Sequence, residues 1–243
     1  MARFYIPQEV SGDTIILSDS DQLHHMRDVL RLKSGDGVTV FDTLGGEYEC
    51  LITSIDRYRA ELAVQSRKAA PPKRVRISIG CAIPRQSKMD EILDKLVQLD
   101  VDTIIPLETE RSVVKFEDRN SLADRKKRWE KIARSAAEQS RRSDLPVINP
   151  VTPVVDVIRR SSNFDLKLMA ALAADARAIK DVLAGPPPST VLALIGPEGD
   201  FTAAEVHQAV VSGFTLISLG RTVLRVETAA IALASYLRFT FLV

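Results

Sequence analysis

Short apolar runs with a two-residue period occupy the first seventy positions, and a different grammar takes over after residue 73. Residues 5–6, 14–17, 38–41, 48–52 and 60–64 alternate or cluster β-branched and aromatic side chains, and predict strands. Gly12-Asp13, the stretch 34–37 and Gly45-Gly46 cut these runs as turns. Between them, 22–30 reads as one short helix. Several strands at this spacing predict a small barrel. Ala69 to Lys73, with Pro71-Pro72, reads as a linker.

Beyond it, strands alternate with helices. Residues 75–83 form a nearly continuous apolar run, the pattern of a strand covered on both faces. A helix follows over 87–99, with Met89, Ile92, Leu93, Leu96 and Leu99 on one stripe, and Ser87 is placed to cap it. Further strands are predicted at 103–107, 166–172, 191–195 and 214–219. Helices are predicted at 123–141, 176–183, 203–211 and 228–239. This order describes an α/β domain with a mostly parallel sheet.

Composition narrows the picture only slightly. With 45% hydrophobic and 27% charged residues, the chain has the make-up of a soluble globular protein. Lys and Arg total 33 against 32 Asp and Glu, so net charge does not point to a polyanionic partner, and the placement of charge matters more. The strongest basic run is Arg125-Lys126-Lys127-Arg128, continuing to Lys131, Arg134, Arg141 and Arg142; a solvated helix face is its ordinary explanation. Cys50 and Cys81 lie far apart in apolar runs and read as buried thiols of a reducing compartment, not as a disulfide or metal site. With no apolar leader and no membrane-length window, the expected location is the cytoplasm, without a membrane partner.

Two segments carry chemistry. Over 194–205 a buried strand ends in Gly196-Pro197-Glu198-Gly199, and a helix begins at once, with Thr202 and Glu205 at capping-box spacing. Such loops at the carboxyl edge of a parallel sheet bind ligands, although a plain strand-to-helix turn also needs glycine. Over 219–230 a second strand ends in Gly220 and leads past Arg221 and Arg225 to Glu227 and the last helix. The helix dipole favours a carboxylate at Glu227 whatever the function, whereas two arginines beside a crevice suit a phosphate-bearing substrate. The absence of both a G-x-G-x-x-G after the first α/β strand and a P-loop disfavours other nucleotide enzymes.

The IGPEG at 195–199, followed by a helix and then by LGRTVLRVETA at 219–229, resembles the SPOUT methyltransferases and, within them, the RsmE family. The likeness spans the chain. His24-His25, the VLR at 29–31 and Gly35-Asp36 are similar to that family's N-terminal signature, and 88–99, 110–112 and 129–142 resemble its middle segments. Asp200 departs from the pattern, which more often has glycine there.

The resemblance implies S-adenosylmethionine-dependent methylation of N3 of a uridine in 16S ribosomal RNA, within the small ribosomal subunit, by a homodimer that uses no metal. It implies a PUA-like β-barrel over 1–70 that helps grip RNA and a SPOUT domain over 73–243 with a deep trefoil knot. The cofactor site is then expected at Ala171, Leu172, Ile195, Gly196, Pro197, Glu198, Gly199, Leu219, Gly220 and Leu224. Arg225 and Glu227 are the expected catalytic residues, and Arg27, Arg31, Arg141, Arg142 and Arg221 the RNA contacts. A SPOUT enzyme with another RNA target, such as a ribose 2′-hydroxyl, and a non-catalytic ribosome-assembly protein remain open alternatives at this level.

Overall fold

A computed structural model describes residues 1–69, 73–84, 88–112 and 119–241, so Ser87 and most of the expected linker lie outside the described residues. The chain divides into two units: Met1–Pro72 with Arg134–Leu145, and Lys73–Ala133 with Pro146–Val243.

The first unit opens with β1 (Ala2–Tyr5), β2 (Thr14–Leu17) and α1 (Ser20–His24), which runs into a π-helical turn, His25–Val29. It continues with β3 (Gly37–Phe41), β4 (Glu47–Ile55) and β5 (Ala60–Lys68). The five strands make one sheet in the order β1-β3-β4-β5-β2. β1 lies parallel to β3, and the other pairings are antiparallel. Alternation decides which face is buried: Tyr48, Cys50 and Ile52 of β4 point inward, while Glu49 and Leu51 are exposed. With Phe4, Leu23, Met26, Val40 and Leu62 they form one apolar core.

The single helix expected over 22–30 is in fact two pieces. Asp19 caps α1 by accepting hydrogen bonds from the Asp21 and Gln22 amides. The ladder then widens, with the Leu30 amide donating to the His25 carbonyl and the Leu32 amide to the Met26 carbonyl. Arg31 ends the turn in the left-handed region, at φ 56°.

The second unit contains β6 (Arg76–Ala82), α2 (Lys88–Gln98), β7 (Thr103–Glu108) and α3 (Arg119–Ser140), whose last turns belong to the first unit. Next come β8 (Val147–Ile148), β9 (Thr152–Pro153), α4 (Val154–Arg159), β10 (Leu166–Ala170), β11 (Arg177–Ala178) and α5 (Ile179–Val182). The chain closes with β12 (Thr190–Ile195), α6 (Ala203–Val211), β13 (Thr215–Ser218) and α7 (Val226–Phe241). The eight strands pair in parallel throughout, in the order β11-β13-β10-β12-β6-β7-β8, with β9 also on β7. α7 buries Ala230, Leu233, Ala234 and Leu237 and packs on α2, β6 and β12. Its small residues allow that close approach.

One expected helix is corrected. Over 176–183 only α5 is helical, because Arg177 and Ala178 pair with Ile217 and Ser218 at the sheet edge. Pairing with a formed sheet outweighs the local helical preference. β8, β9 and α4 were not legible; the strands are two residues each, too short for any period to register.

Candidate active site

Three loops meet at the carboxyl ends of β10, β12 and β13, where an open parallel sheet places ligands. Their cleft is lined by Ala171, Leu172, Ile195, Gly196, Pro197, Glu198, Leu219, Gly220 and Leu224, nine of the ten residues expected for a cofactor. Gly199 is not among its lining residues; its carbonyl accepts a hydrogen bond from Arg111 at 2.7 Å. Asp200, Ser218, Thr222 and Val223 also line the cleft and were not singled out as binding residues. They stand beside the glycines in the same loops, and that adjacency was the available signal.

Each loop is held by a local device. Phe201, 3% exposed, packs beneath Gly196, where an added Cβ would come within 3.1 Å of its ring. Thr202 and Glu205 close the expected capping box at the start of α6. The second carboxylate oxygen of Glu205 accepts the Glu110 amide at 2.9 Å and so ties the loop after β7 to the same helix. Gly220 sits at φ +132°, and a Cβ there would meet open space, so backbone forms the wall of the cleft at this point.

Asp200 occupies the left-handed region at φ 59°, a conformation that favours glycine and that aspartate tolerates through local hydrogen bonds. Its carboxylate accepts the amides of Leu172 and Phe201, each at 2.8 Å.

The proposed catalytic residues lie beside the cleft, outside its lining. Arg225 is exposed, and its carbonyl accepts the Ala229 amide at 2.8 Å, which fixes its backbone at the start of α7. Glu227, in the first turn of α7, is buried, and its carboxylate lies 3.4 Å from Nζ of Lys88. Lys88 was not foreseen as its partner. The ammonium is held above its ordinary pKa by Glu91 first and Glu227 second.

The expected RNA contacts divide by exposure. Arg221 is exposed in the loop after β13, and Arg141 is exposed at the end of α3. Arg27 and Arg31 are also on the surface, but Arg27 clasps Asp28 at 2.8 and 2.7 Å. That guanidinium, with His24, lowers the Asp28 carboxyl to about 2. Arg142 is the exception: its side chain is 5% exposed and pairs with Asp144 at 2.9 Å. A guanidinium buried against its own carboxylate holds the chain together and does not present itself to a phosphate. Part of the basic run on α3 is likewise neutralised locally, since Arg128 pairs with Asp90 and Lys126 with Glu130.

Cys50 and Cys81 are free and buried, and burial pushes their thiols up to about 11 and about 12. Among the described residues no group of three or more His, Cys, Asp or Glu side chains could hold a metal ion, and no helix is long and apolar enough to cross a membrane.

A parallel sheet with a three-loop cleft, following a small β-rich unit, matches known families. The model described as RNA methyltransferase domain covers residues 71–238, and that described as RNA methyltransferase PUA domain covers 17–65. The chain therefore belongs to the RNA methyltransferases that carry a PUA domain. Within them it belongs to the ribosomal RNA small subunit methyltransferase E family. The relative of that name from Synechocystis is 31% identical, over 94% of this chain and 74% of its own. The Bacillus subtilis relative is 28% identical, over 94% and 93%. A Neisseria gonorrhoeae ribosomal RNA small subunit methyltransferase E, solved bound to S-adenosyl methionine, superposes with a TM-score of 0.88 at 30% identity, covering 98% of this chain and 97% of that one.

Proposed function

We propose that the protein transfers the methyl group of S-adenosylmethionine to N3 of a uridine in 16S ribosomal RNA. The observation that carries this reading is the three-loop cleft, in a chain that matches the family along nearly its whole length. The lining suits the cofactor chemically. Leu172, Ile195 and Leu224 offer apolar walls to a flat ring, and Glu198 offers a carboxylate to a cationic ligand.

When bound, the cofactor supplies an electrophilic methyl on a positively charged sulfur. This chain's residues supply position and charge. Uridine N3 carries a proton and is a poor nucleophile, whereas its deprotonated form spreads negative charge over O2 and O4. The Arg225 guanidinium stabilises that anion electrostatically. Glu227, which Lys88 approaches to 3.4 Å, either orients Arg225 or accepts the proton that leaves N3. The loops exclude water and align the acceptor with the sulfur–methyl bond.

The first unit contributes RNA contacts through Arg27, Arg31 and Arg141, and the second through Arg221. The chain path suits a deep trefoil knot: β13 lies across β10 from β12, yet α7 returns to pack on α2, β6 and β12. We also propose a homodimer in the cytoplasm; Val223, Tyr236 and Phe239 are exposed apolar side chains that a second copy would cover. Light scattering tests the dimer.

The direct test is methylation of small ribosomal subunits that lack the modification, followed by nucleoside mass spectrometry. N3-methyluridine is the expected product. A different methylated nucleoside would overturn the assigned position while leaving the enzyme class standing.

A further inference from the structure

The loop after β12 is gripped from two sides. Arg111 holds the Gly199 carbonyl at 2.7 Å, and one residue later Asp200 reaches across to the loop after β10. One oxygen of the Asp200 carboxylate accepts the Leu172 amide at 2.8 Å, and the other accepts the amide of Phe201 at 2.8 Å. Asp200's own amide donates to the Pro197 carbonyl at 2.9 Å, which closes the turn. Leu172 is 66% exposed at the cleft, so apolar packing does little to fix it. Its backbone is held instead by a charge-assisted hydrogen bond from the opposite loop.

We propose that Asp200 is a positioning residue that locks the loops after β10 and β12 together, so that both lips of the cleft are set before the cofactor enters. The proposal rests on the reading of this cleft as the S-adenosylmethionine site. A non-glycine residue at φ 59° carries backbone strain. At Asp200 that strain is offset by two hydrogen bonds that glycine cannot make. Ordering a loop in advance lowers the entropy that a ligand must otherwise overcome, and so raises affinity.

Asp200→Gly isolates the clamp, because glycine adopts the same backbone without strain and removes only the carboxylate. Two readouts separate the clamp from the site. The first is exchange of the Leu172 amide by nuclear magnetic resonance without ligand, which is expected to quicken about tenfold or more in Asp200→Gly. The second is calorimetry with S-adenosylmethionine, where the dissociation constant is expected to rise about tenfold. KM for the cofactor should rise by a similar factor, with kcat falling less. Asp200→Asn keeps one acceptor oxygen and should lie between the two.

Unchanged Leu172 exchange in Asp200→Gly would overturn the clamp whatever the cofactor does. Faster exchange with unchanged affinity would overturn its role in binding. Failure of the wild-type protein to bind S-adenosylmethionine would instead overturn the reading of the cleft, while the exchange measurement still decides the clamp.

Discussion

Removing the Arg225 side chain should separate binding from turnover. It lies outside the cleft lining, so Arg225→Ala is expected to leave S-adenosylmethionine affinity within about twofold. If it stabilises the uridine anion, the methylation rate at saturating cofactor falls by about 10²–10³, the usual cost of one electrostatic donor at developing charge. Retained full activity would remove it from the mechanism. Gly196 makes the opposite demand. A bulky side chain there meets the Phe201 ring from within the loop, and the clash does not arise in the cavity. Gly196→Val should therefore push the loop out of place, cost about 1–3 kcal/mol through overpacking, and abolish cofactor binding by calorimetry. Unchanged affinity would mean that the site lies elsewhere.

At the level of elements, α6 shows why some parts of this protein were legible from sequence and others were not. Its start was readable because Thr202 and Glu205 carry a local signal, and the helix spans Ala203–Val211 as expected. The second task of Glu205, receiving the Glu110 amide, joins positions 95 apart, and no local pattern encodes it. The same holds for Lys88 beside Glu227 and for Asp200 beside Leu172. The glycine loops marked where a ligand cleft would form, but the contacts that brace the cleft join residues far apart in the chain. The strand at 177–178 was misread for a related reason, since its partner β13 is made forty residues later. The bracing makes a testable order of effects. Thr202→Ala loses one cap and should cost about 1 kcal/mol. Glu205→Ala strands the Thr202 and Glu110 amides together, and should cost about 2–4 kcal/mol. Denaturant midpoints for the two variants measure the difference, and equal losses would show that Glu205 acts only as a cap.

For the whole molecule, the first unit is not one continuous stretch: Arg134–Leu145 returns to complete it, and this return brings Glu138 against the Tyr5 amide. Burial raises the Glu138 carboxyl to about 7, against the opposing pull of the Tyr5 amide, which donates to it at 3.3 Å, and of Arg134. The folded state thus keeps a proton that the unfolded chain, with a carboxyl near 4.5, has already released. Between these two values stability must fall as pH rises; the contribution is complete below about 4.5 and lost above about 7. Glu47 works in the opposite sense, because its contact with Arg3 depresses its carboxyl and its contribution disappears in acid. The first unit is therefore expected to be most stable at mildly acidic pH. Discounted for solvent screening, the Glu138 term is on the order of 1 kcal/mol between pH 5 and 7.5. Glu138→Gln keeps an acceptor for Tyr5 but has no proton to lose, so its urea midpoint should vary less across that window than the wild type's. If the two midpoints move in parallel with pH, Glu138 is not the group that titrates, and the pH response of the first unit has another source.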